Sequence, residues 1–511
     1  MNSIQKIGIA AGLAAVAVVL QGAAETPFAL VPYPQHLKTQ AGEFKTPKPA
    51  EEVWKAEHDP RLVSEGYRLS ITPEGVTCAY ADKAGAFYAA QTLAQLRRGK
   101  AGAFTYPCVD ITDSPKYGWR GVLIDDCRHF FGKEKVKRVM DLMARHKLNR
   151  LHWHLTDDQG WRLDIPGYPE LAKRASVRAA SAKHGTRPHV RMEDYSALLN
   201  GETYGPFFYT EADIKEMIAY AAERHITIVP EIELPGHVYA ALSAYPELAC
   251  FPARLKGKGP LCAWGIEKDV LCVGNDKSIK FMEDVLDYVC RLFPGNVVHI
   301  GGDECPQVRW KECPKCQDRI KANGLKDEHD LQPWLTRHFL KFLAARGKRA
   351  IGWDEYLLGD VPKDAIGMSW RAGGGGAGHK FLTPLECVKR GHDLVMTPRT
   401  HCYIDYGQGL ADDPFQYIGG RVTLEKCYSF DPCEGIPPEL SGHIFGGQGN
   451  NWSEYTWNEY DLDWKMWPRT CALAEALWTA SPQRDFQEFL KRMETHRKRL
   501  VAAGVNCAPL R

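Results

Sequence analysis

Two glycines followed by two carboxylates, in the run His299-Ile300-Gly301-Gly302-Asp303-Glu304, form the sharpest chemical signal in the chain. The glycines let the backbone turn tightly and present Asp303 and Glu304 side by side into a cavity. A neighbouring carboxylate and partial burial both keep a carboxyl protonated, which suits one of the pair to general acid work near neutrality. Further polar and aromatic groups recur along the chain: Asp125; His154 with Asp157 and Asp158; Glu231, Glu233 and His237; Trp353-Asp354-Glu355; Trp370-Arg371; and Trp452-Ser453-Glu454. A metal-dependent hydrolase could in principle gather His129, His152, His154, Asp157, Asp158, His237, His299 and Asp303. Spacing argues against it: the first strand has no His-x-His, no His-Glu-x-x-His pair exists, and the tryptophans would be unexplained.

Each cluster sits where an apolar run ends. The runs are Gly121–Asp125, Arg150–His154, Thr227–Pro230, Val297–Ile300, Arg349–Gly352, Ile366–Ser369, Asp393–Met396 and Ile444–Gly447. Helical periodicity between them is clearest over Lys133–His146, Glu211–Arg224, Ser278–Leu292 and Leu331–Arg346. Eight strand-helix units predict an α/β fold, a (β/α)8 TIM barrel, over 114–511, whose chemistry comes from loops at the C-terminal strand ends. Insertions at 165–210 and 239–275 would shape the site. Ahead of the barrel, Tyr67–Ile71 alternates and Gly85–Arg98 repeats at helical spacing, which predicts a small α+β domain over 25–113.

With 44% hydrophobic and 11% aromatic residues, 511 residues can bury a large core. The formal charge of +2 gives no basic field for nucleic acid or an anionic membrane, whereas a neutral polymer fits. Lys6, the apolar stretch Ile7–Leu20 and the small residues to Ala24 have the layout of a signal peptide over 1–24. That implies a secreted or periplasmic protein without a membrane span, in which some of the sixteen cysteines would pair. Cys313-Pro-Lys-Cys316 reads as a disulfide or plain thiols, since zinc would need two more ligands at comparable spacing, and Cys262 with Cys272 is another plausible clip.

The stretch from His299 to Glu304 resembles the HxGGDE signature of glycoside hydrolase family 20, the β-N-acetylhexosaminidases. So do Arg120–Asp125 with Arg128-His129-Phe130, Leu151–His154 with Asp157-Asp158-Gln-Gly-Trp161, Pro230–His237, and Gly352–Glu355. The motifs keep the family's order from about Pro32 to Trp478. The resemblance implies a retaining exo-β-N-acetylhexosaminidase that needs no metal or organic cofactor. Its substrate would be a glycan ending in GlcNAc or GalNAc, and the substrate's own acetamido oxygen would be the nucleophile. Glu304 would be the acid/base and Asp303 would orient the acetamide. Arg120 would grip the 3- and 4-hydroxyls, Glu454 the 4- and 6-hydroxyls, and Asp405 the 6-hydroxyl. Tyr403 would bond the acetamide oxygen, Trp353, Trp370 and Trp452 would wall the pocket, and Asp157 and His237 would support the acid. A lacto-N-biosidase of the same family and a glycan-binding protein without turnover are the other readings.

Two departures stand out. Position 233 is Glu where the family usually has Asp, so a relay through His237 must accept an extra methylene, and no tryptophan follows Asp405, the nearest aromatic candidate being Tyr417. Taken singly, each motif residue also has a plainer role. His154 could be a satisfied core histidine, any one tryptophan could simply pack, and Arg120 could be a buried partner for Asp125 or Asp303.

Overall fold

The computed structural model describes residues 28–183, 199–371, 381–411, 413–415 and 417–510. The leader expected over 1–24 lies outside the described residues, as does part of the 165–210 insertion. The chain first forms an antiparallel-rich sheet from β1 (His36–Thr46), β2 (Lys55–His58), β3 (Tyr67–Thr72), β4 (Gly75–Tyr80), β5 (Arg98–Lys100) and β6 (Ala103–Asp113). Its spatial order is β1-β6-β3-β4-β2, with β5 beside β6. Tyr67, Leu69 and Ile71 point to one face of β3 and are buried, because side chains alternate along a strand. That face packs on helix α1 (Lys83–Leu96) through Tyr88, Ala89 and Leu93. Asp82 caps the helix by accepting from the Gly85 N–H.

The barrel follows at once. Its strands are β7 (Trp119–Asp125), β8 (Arg150–His154), β11 (Thr227–Glu231), β12 (Val297–His299), β13 (Arg349–Trp353), β14 (Ile366–Ser369), β15 (Asp393–Met396) and β16 (Ile444–Asn451). They close into an eight-stranded parallel ring in chain order, with β16 returning to β7. A short hairpin, β9 (Thr156–Asp157) and β10 (Gly160–Trp161), rises from the end of β8. Each strand starts within two residues of the run that announced it, and β7, β11, β13 and β16 are longer than their apolar runs. β16 is extended by polar residues that are all buried, Gln448 and Asn450 meeting inside the ring, where Gln448 also reaches His152, and Asn451 lying on the strand's other face.

The helices used below are α2 (Gly132–Arg145), α3 (Glu211–Ala222), α4 (Tyr239–Ala244), α5 (Asp276–Leu292), α6 (Val308–Glu312), α7 (Pro314–Ala322) and α8 (Leu331–Ala344). The long helices bury apolar faces: α5 alone buries Ile279, Phe281, Met282, Val285, Leu286 and Val289. At roughly 2 kcal/mol for each such side chain removed from water, one helix face outweighs any single polar contact in the molecule. No helix among the described residues is long and apolar enough to cross a membrane.

The small domain seats against the N-terminal end of the barrel, and Arg120 belongs to that seam. Its guanidinium donates to the carbonyls of Lys147 (2.8 Å) and Tyr117 (2.8 Å) and to the Tyr88 hydroxyl (3.2 Å), and pairs with Glu65 at 2.7 Å. Beside it the Lys147 ammonium bonds Asp113 at 2.8 Å and lies 4.4 Å from the Trp478 ring centre. The assignment of Arg120 to sugar hydroxyls is therefore corrected. Arg120 is the second residue of β7, and five residues of strand, roughly 16 Å, separate it from Asp125 at the catalytic end.

Candidate active site

Loops leaving the C-terminal strand ends build one polar basin. After β12 the backbone enters the left-handed region three times, at Gly301 (φ 60°), Gly302 (φ 99°) and Glu304 (φ 45°). The glycines are required by space as well as by angle: a Cβ on Gly302 would stand 2.6 Å from Cβ of Tyr356. Glu304 has no such licence, and neither does His237 at φ 50° after β11. Each non-glycine residue held there costs about 1–2 kcal/mol, strain that clusters at sites where side-chain aim matters more than stability.

His237 joins the two loops. Its Nδ1 lies 3.4 Å from both Asp157 Oδ1 and Asp158 Oδ2, and its Nε2 lies 3.8 Å from both Asp303 Oδ2 and Glu304 Oε2. Burial opposes charge on the ring, but the Asp157 carboxylate, with Asp158 and Asp303, outweighs it and holds the imidazole well above its ordinary pKa. Asp303 is moved the other way. Burial, reinforced by Glu355, Glu304 and Glu231 and opposed by His237, pushes its carboxyl up to about 8. Glu304 is the more open of the pair, with 29% of its side chain exposed against 14% for Asp303. This is the arrangement expected if Glu304 reaches outward to a leaving group while Asp303 lines the pocket.

Glu233 takes no part in an ion pair with His237. It lies against Gly301, where the missing side chain makes room for its extra methylene. The carboxylates facing Nδ1 of His237 are instead Asp157 and Asp158. His154 spans Glu231 and Asp157, with its Nε2 2.8 Å from Asp157 Oδ2, and so acts as the structural support expected of it.

The other wall is built from the ends of β7, β13, β14 and β16. Arg128 bonds Asp125 at 3.0 Å and Asp157 at 2.8 Å, approaches Glu454 at 3.7 Å, and sits 5.3 Å over the Trp452 ring. Trp452 lies 5.6 Å from Trp353, whose indole N–H donates to Glu231 at 2.8 Å. Trp370 stacks on Tyr403 at 6.0 Å and donates to Glu355 at 3.2 Å. Glu355 also accepts from Arg371 and from the Glu304 backbone N–H. Asp405 is buried with no hydrogen-bond partner for either oxygen, and burial beside Glu454 pushes its carboxyl well up. Tyr417 is turned aside, bonding Asp413 and lying 5.1 Å from the Lys465 ammonium.

Asp303, Glu304, Asp157, His237, Trp353, Trp370, Tyr403, Asp405, Trp452 and Glu454 thus lie around the catalytic end of the ring, and Arg120 does not. Arg128, Glu355 and Arg371 were missed as site residues. The signal for Arg128 was present, because it follows the β7 strand end whereas Arg120 precedes it, and only the following position faces the basin.

The cysteines depart from expectation as well: all sixteen are unpaired. Cys272 Sγ is 3.8 Å from both Cys313 and Cys316, and Cys250 is 3.8 Å from Cys316, against about 2.05 Å for a disulfide. Cys262 is not part of that group.

A carboxylate pair at the catalytic end of a (β/α)8 barrel, faced by aromatic rings and partnerless acids, defines a carbohydrate-processing class of site. Comparison makes the class specific. The family description "Glycosyl hydrolase family 20, catalytic domain" matches residues 117–481, and "Glycosyl hydrolase family 20, domain 2" matches residues 35–114. This chain belongs to glycosyl hydrolase family 20, a family of glycoside hydrolases. It is 40% identical over 454 residues to a β-hexosaminidase of Porphyromonas gingivalis, covering 87% of this chain but only 55% of that protein. A β-hexosaminidase of Akkermansia muciniphila is 34% identical, with 93% and 91% of the two chains covered. Among solved structures, a Vibrio harveyi exo-β-N-acetylglucosaminidase in complex with N-acetylglucosamine superposes with a TM-score of 0.80 at 29% identity, covering 94% of this chain and 78% of that one. A β-N-acetylhexosaminidase from Bacteroides fragilis does so with a TM-score of 0.78 at 28% identity, covering 94% and 97%.

Proposed function

We propose that the protein is an exo-acting β-N-acetylhexosaminidase that releases terminal GlcNAc or GalNAc with retention, through a cyclised oxazolinium intermediate. The observation that carries this reading is the Asp303–Glu304 pair, with His237 placed 3.8 Å from each carboxylate. Glu304 gives its proton to the leaving glycosidic oxygen as the acetamido oxygen attacks the anomeric carbon. Water then attacks the same carbon, Glu304 takes its proton, and the acetamide is restored. Asp303, raised while the pocket is empty, ionises more easily opposite the positive charge that develops on the acetamide nitrogen. The cationic His237, fixed by Asp157 and Asp158, steadies both carboxyl groups. Trp353, Trp370 and Trp452 cover the methyl group and the sugar face. Tyr403 bonds the acetamide oxygen, while Glu454 accepts from sugar hydroxyls and Asp405 accepts from one that supplies the partner its oxygens lack. Arg128 fills the hydroxyl-gripping role that Arg120 cannot reach.

The relatives' names support the substrate class, and the layout of residues 1–24 supports export to a periplasm or the medium. The test is chromophore release from aryl β-N-acetylglucosaminide and β-N-acetylgalactosaminide by the parent and by Glu304→Gln. Turnover that collapses in the variant, with the β-anomer formed first by NMR, is the expected result. Cleavage of lacto-N-bioside substrates alone would assign the disaccharide-releasing activity instead, and initial α-anomer would overturn retention.

A further inference from the structure

Four thiols gather where the segments that follow His237 and the acid pair meet. The loop after β11 supplies Cys250 and Cys272, and the segment after β12 supplies Cys313 and Cys316 on either side of the start of α7. All four sulfurs lie within 4.8 Å of one another, and three of the separations are 3.8 Å. Four thiolates around one zinc ion at about 2.3 Å form a tetrahedron whose edge is about 3.8 Å, so the separations fit a shared ion and not a pair of bonded sulfurs. The Cys-x-x-Cys spacing lacked two further ligands when read alone, and the fold brings them from 41 and 66 residues away.

The local chain is shaped for this cluster. A Cβ on Gly274 would stand 2.2 Å from the Lys315 carbonyl carbon and 2.3 Å from the Cys316 nitrogen, so only glycine lets the Cys272 loop close on the Cys313–Cys316 turn. Cys313 occupies the N-cap of α7 with proline after it, where the helix dipole favours a thiolate. Cys272, Cys313 and Cys316 are buried and Cys250 is half-buried, which leaves one side for the ion to enter. Four thiolates packed this closely would repel one another unless a cation sat among them.

We propose that Cys250, Cys272, Cys313 and Cys316 bind one structural zinc ion, which clamps the loop following His237 to the loop following Asp303 and Glu304. Binding converts four thiols to thiolates and releases their protons to solvent. The ion is remote from the reacting atoms in role: it holds loops and does no chemistry on the sugar. Loss of activity on chelation would therefore not by itself imply metal catalysis.

The test uses the full-length chain purified without chelator. Metal analysis should give about one zinc per chain, retained by Glu304→Gln and reduced to below about a tenth in Cys316→Ser. Cobalt exchange should give the thiolate charge-transfer and intense visible bands of a tetrahedral sulfur site, and a thiol-specific mercurial should release the metal. Zinc-free protein whose denatured, unreduced mass shows bridges among these four cysteines would overturn the proposal, as would zinc-free protein in which all four alkylate readily. Mononuclear iron in the site would overturn the assignment to zinc. Because the readout is metal content, it fails or succeeds independently of whether the aryl glycosides are cleaved.

Discussion

A Cβ placed on Gly301 would stand 1.8 Å from Oε2 of Glu233. Glutamate at 233 and glycine at 301 are thus two halves of one packing solution beneath the acid pair. Gly301→Ala adds about 1–2 kcal/mol for an alanine at φ 60° and about 1–3 kcal/mol for the overlap, so it should lower stability and cut turnover steeply. Glu233→Asp withdraws the overlapping atoms and should alone be mild. The double variant should recover part of what Gly301→Ala loses, measured as a coupling in thermal stability and in kcat. Strict additivity would show that the two side chains do not share this space.

The two arginines of the first strand region should part company. Arg128→Ala removes a guanidinium that touches Asp125, Asp157 and Trp452, and takes from the basin the cation shared by two buried carboxylates. A loss of about a hundredfold or more in kcat/KM is expected. Arg120→Met acts at the opposite end, where it strips Lys147 and Tyr117 carbonyls of their donor and frees Glu65. Its effect should be a destabilisation of about 2–4 kcal/mol with the kcat of the surviving folded enzyme within a few fold of the parent. Equal catalytic losses from both would contradict the placement of Arg120 at the domain seam.

His237 should behave as a positioning residue. Its imidazolium is held by Asp157 and Asp158 on one side and faces Glu304 on the other. His237→Gln keeps a polar side chain but no charge, so kcat should fall by about 10- to 100-fold with a smaller change in KM. The acid limb of kcat/KM should move to higher pH with it, since the cation that opposes protonation of Asp303 is gone. An unchanged pH profile would remove the electrostatic role.

Barrel phase was readable because it rests on short-range pattern: seven of the eight strand runs end in a cluster that has to face one end of the ring. Asp303 and Glu304 were visible for that reason, as were Trp353 and Trp452. Arg120 misled because a motif places it within a few residues of Asp125 without saying which end of the strand it occupies. That distinction is vectorial, and it becomes plain only when the Lys147 carbonyl and Tyr88 hydroxyl are seen around it. The thiol cluster failed for the opposite reason. Cys272 and Cys316 lie 44 residues apart and their meeting depends on how the 239–275 insertion folds against α7, which periodicity does not encode. Glu233 shows a third case, in which a departure at one position is absorbed by the empty side of a glycine in the turn after the next strand.

The carboxyl of Asp303 makes a sharper prediction about stability. Burial and the surrounding acids Glu355, Glu304 and Glu231 raise it from an ordinary 3.8 to about 8 in the folded chain, His237 opposing. The folded state therefore holds a proton that the unfolded state gives up. Its contribution is fully present below pH 3.8, and it is lost progressively as pH rises through about 8. Asp303→Asn has no proton to lose, so its melting temperature relative to the parent should be near level at pH 4 and increasingly higher toward pH 8, even though its turnover is severely reduced. Thermal melts of both proteins across that range check it. A constant difference would mean that Asp303 is already ionised in the empty site, with the His237 cation outweighing burial, and the charge that helps the oxazolinium form would then be present before substrate arrives.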